Sequence, residues 1–462
     1  MSSESRECGQ VAGGKPGCDE PSCEELVTAW LKSNAHPIKY VEAGNGFDDL
    51  EPFGCLIDED SVRVVGLGEA THGTREFFQL KHRLLEYLVS KKGFHTFILE
   101  AGYDVCQGIN DYVLYGQGDA ASALAAQGFW TWDTIEVLEL IQWMRRYNMS
   151  QPRGRKVRFY GCDCQSIEKV PGVILGYLER VAPYKYDEAS IILGELANLR
   201  ILPQTLGKSE DGVDIQARAD ILNKLYGLLG YISHNRMPFV RRSSPEEYES
   251  ALQHLRVCIQ YASTLLLIQD PVELHNSRDS AMAENVEYII NVLEPGGKAV
   301  VWAHNMHVTT FPAIEGLVTM GQHLRRMFGR GYYALGLTFN QGWFQALDGR
   351  EPELRIGEFS LPPAREGSVE WYFAKAGLGD SYVDFRRNKD EVVQHWLDEP
   401  RAHRQVGGGF NPDWPFERCE SKRPMNQYDG IVYIGRTSRA RPTATGWRSR
   451  FGSGSKAQSG GS

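Results

Sequence analysis

Short apolar runs alternate with longer amphipathic stretches along most of this chain. Val62–Leu67 (VRVVGL) is rich in β-branched residues, stops at Gly68 and predicts a buried strand. From Arg75 to Val89, apolar side chains fall at 77, 78, 80, 84, 85, 88 and 89, the stripe of a helix packed on a core. Thr96–Leu99 (TFIL) predicts the next strand, Ile135–Tyr147 a helix, and Val157–Tyr160 (VRFY), ended by Gly161, a third strand. Residues 170–290 carry no strand-like run and read as helical, for example over Ile215–Ile232 and Pro245–Ile268. Strands return at Ala299–Ala303 (AVVWA), Tyr333–Phe339 and Ile431–Ile434. Strand and helix in alternation imply an α/β fold, a largely parallel sheet flanked by helices. The long helical stretch then reads as an insertion or lobe over the C-terminal ends of the strands.

The ends differ from the body. Residues 1–22 are rich in Ser, Gly, Pro and Cys and read as a disordered leader. Residues 441–462 read as a disordered, basic, Gly/Ser-rich tail. Residues 23–440 are expected to form one α/β domain, with the helical lobe at about 170–290.

Of 462 residues, 42% are hydrophobic and 24% charged, with a formal net charge of −9, which argues against a body built to coat nucleic acid or an anionic membrane. No run approaches the ~18 apolar residues of a membrane span, and the first residues lack the apolar core of a signal peptide. A cytoplasmic protein acting on a small molecule, with neither nucleic acid nor membrane as partner, is the expectation. Nine cysteines, an odd number in a long chain, do not read as a disulfide framework, and Cys8, Cys18 and Cys23 match no zinc spacing.

Ligands of open parallel sheets bind beyond the carboxyl ends of the strands. Applied here, that rule gathers Glu69 and His72 after the first strand and Glu100 after the second. It adds Asp163 after the third and His304 and His307 after the fourth. Thr71 precedes the apolar stripe where a helix N-cap belongs, which leaves His72 unexplained by structure alone. The run from Gly66 to Thr71 has Thr where a dinucleotide fingerprint needs its third glycine. Serine-hydrolase elbow, phosphate-binding loop and H-E-x-x-H signatures are absent. What remains is a set of imidazoles and carboxylates suited to activating water.

These residues also carry a likeness. GLGEATHGTREFFQLKHRLLEYLV resembles the opening unit of the erythromycin esterase family, and the resemblance continues through FILEAGYD, WTWDTIEVLELIQWMRRYN and YGCDCQ. It resumes at NSRDSAMAENV, VWAHNMHV, MGQHL and YYALGLTFNQGWF and closes with EGSVEW, DFR and YDGIVYI, spanning about residues 30–440. Cys162 stands where the family commonly has an aromatic residue. The resemblance implies a hydrolase that opens a macrolide lactone, and so inactivates the antibiotic, without metal or other cofactor. His72 is its general base, with Glu69, Glu100 and His304 as further catalytic residues, and Arg75, His307 and Asp163 line the substrate site. Two alternatives stand beside this. Glu69, His72, Glu100, His304 and His307 are also good metal ligands for another ester hydrolysis, and a family member need not use macrolides.

Overall fold

The computed structural model describes residues 21–59, 61–199, 215–311, 316–350, 355–413 and 420–443. The leader expected at 1–22 falls outside these apart from its last two residues, and so does the tail beyond Thr443.

The described residues form twelve strands: β1 (His36–Pro37), β2 (Val64–Leu67), β3 (Thr96–Gly102), β4 (Arg158–Asp163), β5 (Ala299–Trp302) and β6 (Tyr332–Asp348), then β7 (Ile356–Leu361), β8 (Ser381–Asp384), β9 (Arg401–Arg404), β10 (Gly409–Phe410), β11 (Glu420–Arg423) and β12 (Gly430–Thr437). Ten make one sheet in the order β1-β8-β12-β6-β2-β5-β3-β4, with β7 and β10 attached to β6, while β9 and β11 pair separately. From β12 to β4 every pairing is parallel. Strands β8, β1 and β7 join antiparallel.

The central strands are apolar on both faces, as strands covered by helices on each side must be. Their side chains alternate between two cores. Val65, Leu67, Phe97, Leu99, Val300 and Trp302 face one, under helices Arg75–Lys92 and Ile135–Met149. Val64, Ile98, Ala299 and Val301 face the other, with helices Pro271–Tyr288 and Met320–Phe328. Neighbouring strands are in step where they end: Leu67 lies opposite Trp302, Trp302 opposite Leu99, and Leu99 opposite Gly161. The residues that follow therefore emerge together at one edge.

Residues 170–199 and 215–288 are largely helical, and the helices from Val170–Val181 to Pro245–Leu265 enclose a hydrophobic cluster of their own, with Ile174, Leu225, Phe239 and Leu255 at its centre. Gly161 does not end the third strand. Extended pairing runs on to Asp163, because a Cβ at 161 would meet the Ala101 carbonyl oxygen at 2.4 Å and glycine alone permits the close approach.

The chain after β12 stays ordered beyond the expected end of the domain. Ser438 bonds to the first residues of helix Arg75–Lys92 and Ala440 to the loop before it. Arg441 and Thr443 reach the start of helix Ile135–Met149 through Glu136 and Asp133.

Candidate active site

The loop after β2 is held from three sides. Gly68 passes so close to Asn305 that a Cβ would lie 2.1 Å from its Oδ1, and the Asn305 N–H donates to the Glu69 carbonyl at 2.9 Å. Val406 N–H donates to the Ala70 carbonyl at 2.7 Å, and His72 N–H to that of Gly407 at 3.4 Å. On the other side the Gly73 carbonyl accepts from Gln345 at 3.1 Å and from Ala440 at 2.9 Å. Thr71 is not the helix N-cap. The helix starts at Arg75 behind an extended Thr74, and the Thr71 hydroxyl is spent inside the loop, on Thr74 Oγ1 at 2.6 Å and Gly73 N–H at 3.2 Å.

His72 Nδ1 lies 2.7 Å from Glu69 Oε1. Glu69 is fully buried, and its second oxygen accepts from Lys81 Nζ at 2.7 Å and from the Trp302 indole N–H at 2.9 Å. Every bond a buried carboxylate needs is thus supplied by named donors. Lys81 is itself buried, 4.6 Å above the Trp302 ring. Burial pulls its ammonium down to about 8, against the opposing attraction of Glu69.

Glu100 anchors the other half. Its Oε2 accepts the His304 backbone N–H at 2.8 Å, and Oε1 faces Arg278 at 3.1 Å and His307 Nε2 at 3.2 Å. Arg278 also donates to Asp163 at 2.6 Å, and His307 Nδ1 pairs with Asp279 at 2.8 Å. Burial opposes the charge on Glu100, yet His307, His72 and Arg278 together hold its carboxyl well below the usual carboxylate range. Burial likewise opposes the imidazolium of His307, but Asp279 and Glu100 push it up to about 10.

The His304 ring sits beside that of His72, with centroids 4.9 Å apart. Burial first, then the neighbouring His72, lowers it well below the ordinary histidine value, more than Glu100 and the Ala70 carbonyl restore. His304 is therefore neutral near pH 7. Its Nδ1 accepts the Met306 N–H at 3.3 Å, which leaves the ring proton on Nε2; the Ala70 carbonyl lies beside the ring, but no well-formed hydrogen bond holds that buried proton.

Six of the seven expected residues thus fall into one connected group: Glu69, His72, Glu100, Asp163, His304 and His307. Arg75 does not join it by any described contact. It is the first residue of its helix, and its guanidinium lies 3.8 Å from Glu136, near Arg441. Sequence reasoning missed Lys81, Trp302, Arg278 and Asp279. Lys81 had a visible signal, a charge on the apolar stripe between Phe77 and Leu84.

His275, Asp279 and His307 offer donor atoms within 4.8 Å of one another. The set fits a cation poorly, because both nitrogens of His307 face carboxylates and its raised pKa keeps both protonated, without the lone pair a metal requires.

The chain was compared with known proteins. An erythromycin esterase type II of Escherichia coli is 27% identical over 401 residues, 79% of this chain and 90% of that one. A Bacillus subtilis (strain 168) protein, whose name says hydrolase and no more, is 23% identical over 434 residues, 89% of this chain and 91% of its own. A crystal structure of a Bacillus cereus protein superposes with a TM-score of 0.79 at 26% identity, covering 92% of this chain and all of that one. An erythromycin esterase variant solved in an open conformation gives a TM-score of 0.64 at 18% identity, covering 86% and 95%, and so shares the fold. The erythromycin esterase family model matches residues 89–437, three quarters of the chain, and the protein belongs to that family.

Proposed function

We propose that this protein is a carboxylic ester hydrolase that opens the lactone of erythromycin-like macrolides with water activated by His72. The observation that carries the reading is the short bond between His72 Nδ1 and a fully buried Glu69, itself fixed by Lys81 and Trp302. A carboxylate on Nδ1 sets the tautomer and stabilises the imidazolium, leaving Nε2 free to act as base. His72 Nε2 takes a proton from water as the oxygen attacks the ester carbonyl. The tetrahedral intermediate then expels the alkoxide, which receives that proton back, so ester and water become acid and alcohol with no covalent enzyme intermediate.

The oxyanion needs a donor aimed at it. We assign this to His304 rather than Arg75, since the neutral ring of His304 stands beside His72 with an Nε2–H that no well-formed hydrogen bond holds. Glu100 fixes His304 through its backbone N–H, and His307, Arg278 and Asp163 fix Glu100. In this reading His307 and Asp163 act at one remove from the substrate. Among the described residues no helix is long and apolar enough to cross a membrane.

The macrolide assignment rests on family membership and on the name of a relative 27% identical. It is tested by incubating the protein with a panel of macrolides and simple esters and following gain of one water by mass spectrometry. Turnover of simple esters with every macrolide intact would keep the hydrolase and remove the macrolide.

A further inference from the structure

The imidazole of His72 has two working edges. Glu69 occupies the Nδ1 edge. The opposite edge carries Nε2 and the carbon bonded to it, Cδ2, and it is where water and ester must lie in the reaction proposed above. That edge faces a glycine. A Cβ placed on Gly408 would stand 3.4 Å from His72 Cδ2 and 3.9 Å from Trp130 Cζ2, and no other heavy atom would come within 4 Å. The missing side chain therefore leaves a notch between an imidazole and an indole.

The backbone does not demand glycine there. Gly407 has φ +74°, where a side chain is strained, whereas Gly408 lies outside the left-handed region. Gly409 is exposed, and a Cβ there would meet nothing within 4 Å. Of the three consecutive glycines, 408 is the one whose lack of a side chain keeps space open next to the base. The wall is also fixed relative to His72. The Gly407 carbonyl accepts the His72 N–H, and the Gly408 carbonyl accepts the Leu347 N–H at 2.9 Å.

We infer that Gly408 and Trp130 form the substrate wall on the Nε2 side of His72, where the empty position at 408 sets how bulky an ester group reaches the base. The group it admits is apolar and branched, laid against the indole edge. A flat aromatic wall and a bare backbone offer contact area and little polar recognition, as suits a hydrophobic acyl or alkoxy part. This inference rests on reading His72 as the base of an ester hydrolase.

The test uses the full chain with Gly408→Ala, Gly408→Leu and, as a neighbour that points away, Gly409→Ala. Each is assayed on 4-nitrophenyl acetate and on the 4-nitrophenyl ester of a branched acid. Gly408→Leu is expected to lower kcat/KM for the branched ester by about tenfold or more relative to acetate, within the range a few methylenes command in a pocket. Gly408→Ala should fall between, and Gly409→Ala should match the parent. Equal losses on both esters, or the same selectivity change in Gly409→Ala, would overturn the inference. Carbethoxylation of His72 by diethyl pyrocarbonate, followed by peptide mass spectrometry, reads the geometry without any turnover. It should slow in Gly408→Leu and not in Gly409→Ala. Should the parent cleave neither ester nor any macrolide of the panel above, the hydrolase reading falls, and the carbethoxylation rates still decide whether residue 408 walls the base.

Discussion

Lys81 and Glu69 meet at 2.7 Å with both side chains fully buried. The two lie on different elements, a strand-end loop and the second turn of a helix otherwise lined by Phe77, Phe78, Leu84 and Leu85. Breaking such a pair from one side leaves a buried charge uncompensated, which commonly costs about 3–5 kcal/mol. Since Glu69 also holds His72, the pair links the core to the proposed base.

The first prediction concerns Lys81 itself. Its ammonium loses a proton at about 8, so above that pH Glu69 no longer faces a full positive charge. We expect kcat to fall on the alkaline side with a midpoint near that value. Lys81→Arg should move the limb upward, because a guanidinium stays charged throughout. A pH–rate profile of kcat for both proteins decides it, and a limb unmoved in Lys81→Arg would assign the alkaline fall to another group.

His72→Asn is expected to lower kcat by about 10²–10⁴-fold, the usual worth of a general base, with the thermal midpoint nearly unchanged. Glu69→Gln in the His72→Asn background should add little further loss in rate, because residues that act as a unit fail together. Full additivity in a double-mutant cycle on kcat would separate Glu69 from the base.

How much of this was legible in the sequence depends on where each residue sits. Strands β2, β3, β4 and β5 were visible because parallel strands covered on both faces are continuous apolar runs. β7 (IGEFSL) and β11 (ESKR) mix polar and charged side chains at accessible positions and gave no such signal. β6 was read only to Phe339, since the polar and glycine residues of its second half look like a turn, although β7 and β10 pair with it there. The strand-end rule found Glu69, His72, Glu100, Asp163, His304 and His307. Arg278 and Asp279 lie in mid-helix, where that rule does not look, and neither their burial nor their pairing across the sheet edge is local information. Arg75 illustrates the converse. The resemblance placed it in the substrate site with His72, but the turn at Gly73 and the extended Thr74 carry its side chain to Glu136.

His307 gives a prediction about stability. Its folded value is raised to about 10, against about 6.5 in an unfolded chain, so the folded state binds the extra proton between these limits. Its contribution is complete below about pH 6.5 and is lost as pH rises toward 10. The stability difference between the parent and His307→Gln should therefore shrink over that window, by up to about 1.4 kcal/mol per pH unit. Denaturant unfolding of both proteins from pH 6 to 9.5 measures it. A difference that stays constant would mean that His307 is neutral in the fold.

The last prediction places the functional end of the chain. Ser438, Ala440, Arg441 and Thr443 form a strap across the site's supports. The Ser438 carbonyl accepts the Arg75 N–H at 3.0 Å, and the Ala440 N–H donates to Gly73, the residue after His72. Glu76 holds the Ser438 N–H at 2.7 Å, while Arg441 and Thr443 tie down Glu136 and Asp133 beside Trp132. Trp132 in turn donates to the Glu100 carbonyl at 2.9 Å. The strap thus fastens the His72 loop and the segment that touches Glu100 to one another. A chain ending at Thr443 keeps every one of these bonds and should retain the parent rate, because the residues after it have the composition of a solvated tail. A chain ending at Thr437 loses them all. Its loop would keep the bonds to Val406, Gly407 and Gln345, so the protein should fold, but with His72 less well fixed. A misplacement of about 1 Å at a reacting group costs on the order of 10²-fold, and we expect a fall in kcat of at least about tenfold with a smaller change in KM. Steady-state kinetics on the two truncations, with circular dichroism to verify the fold, makes the comparison. Equal rates would show that the loop is held well enough from its other side, and a loss already present at Thr443 would give the basic tail a role in the site.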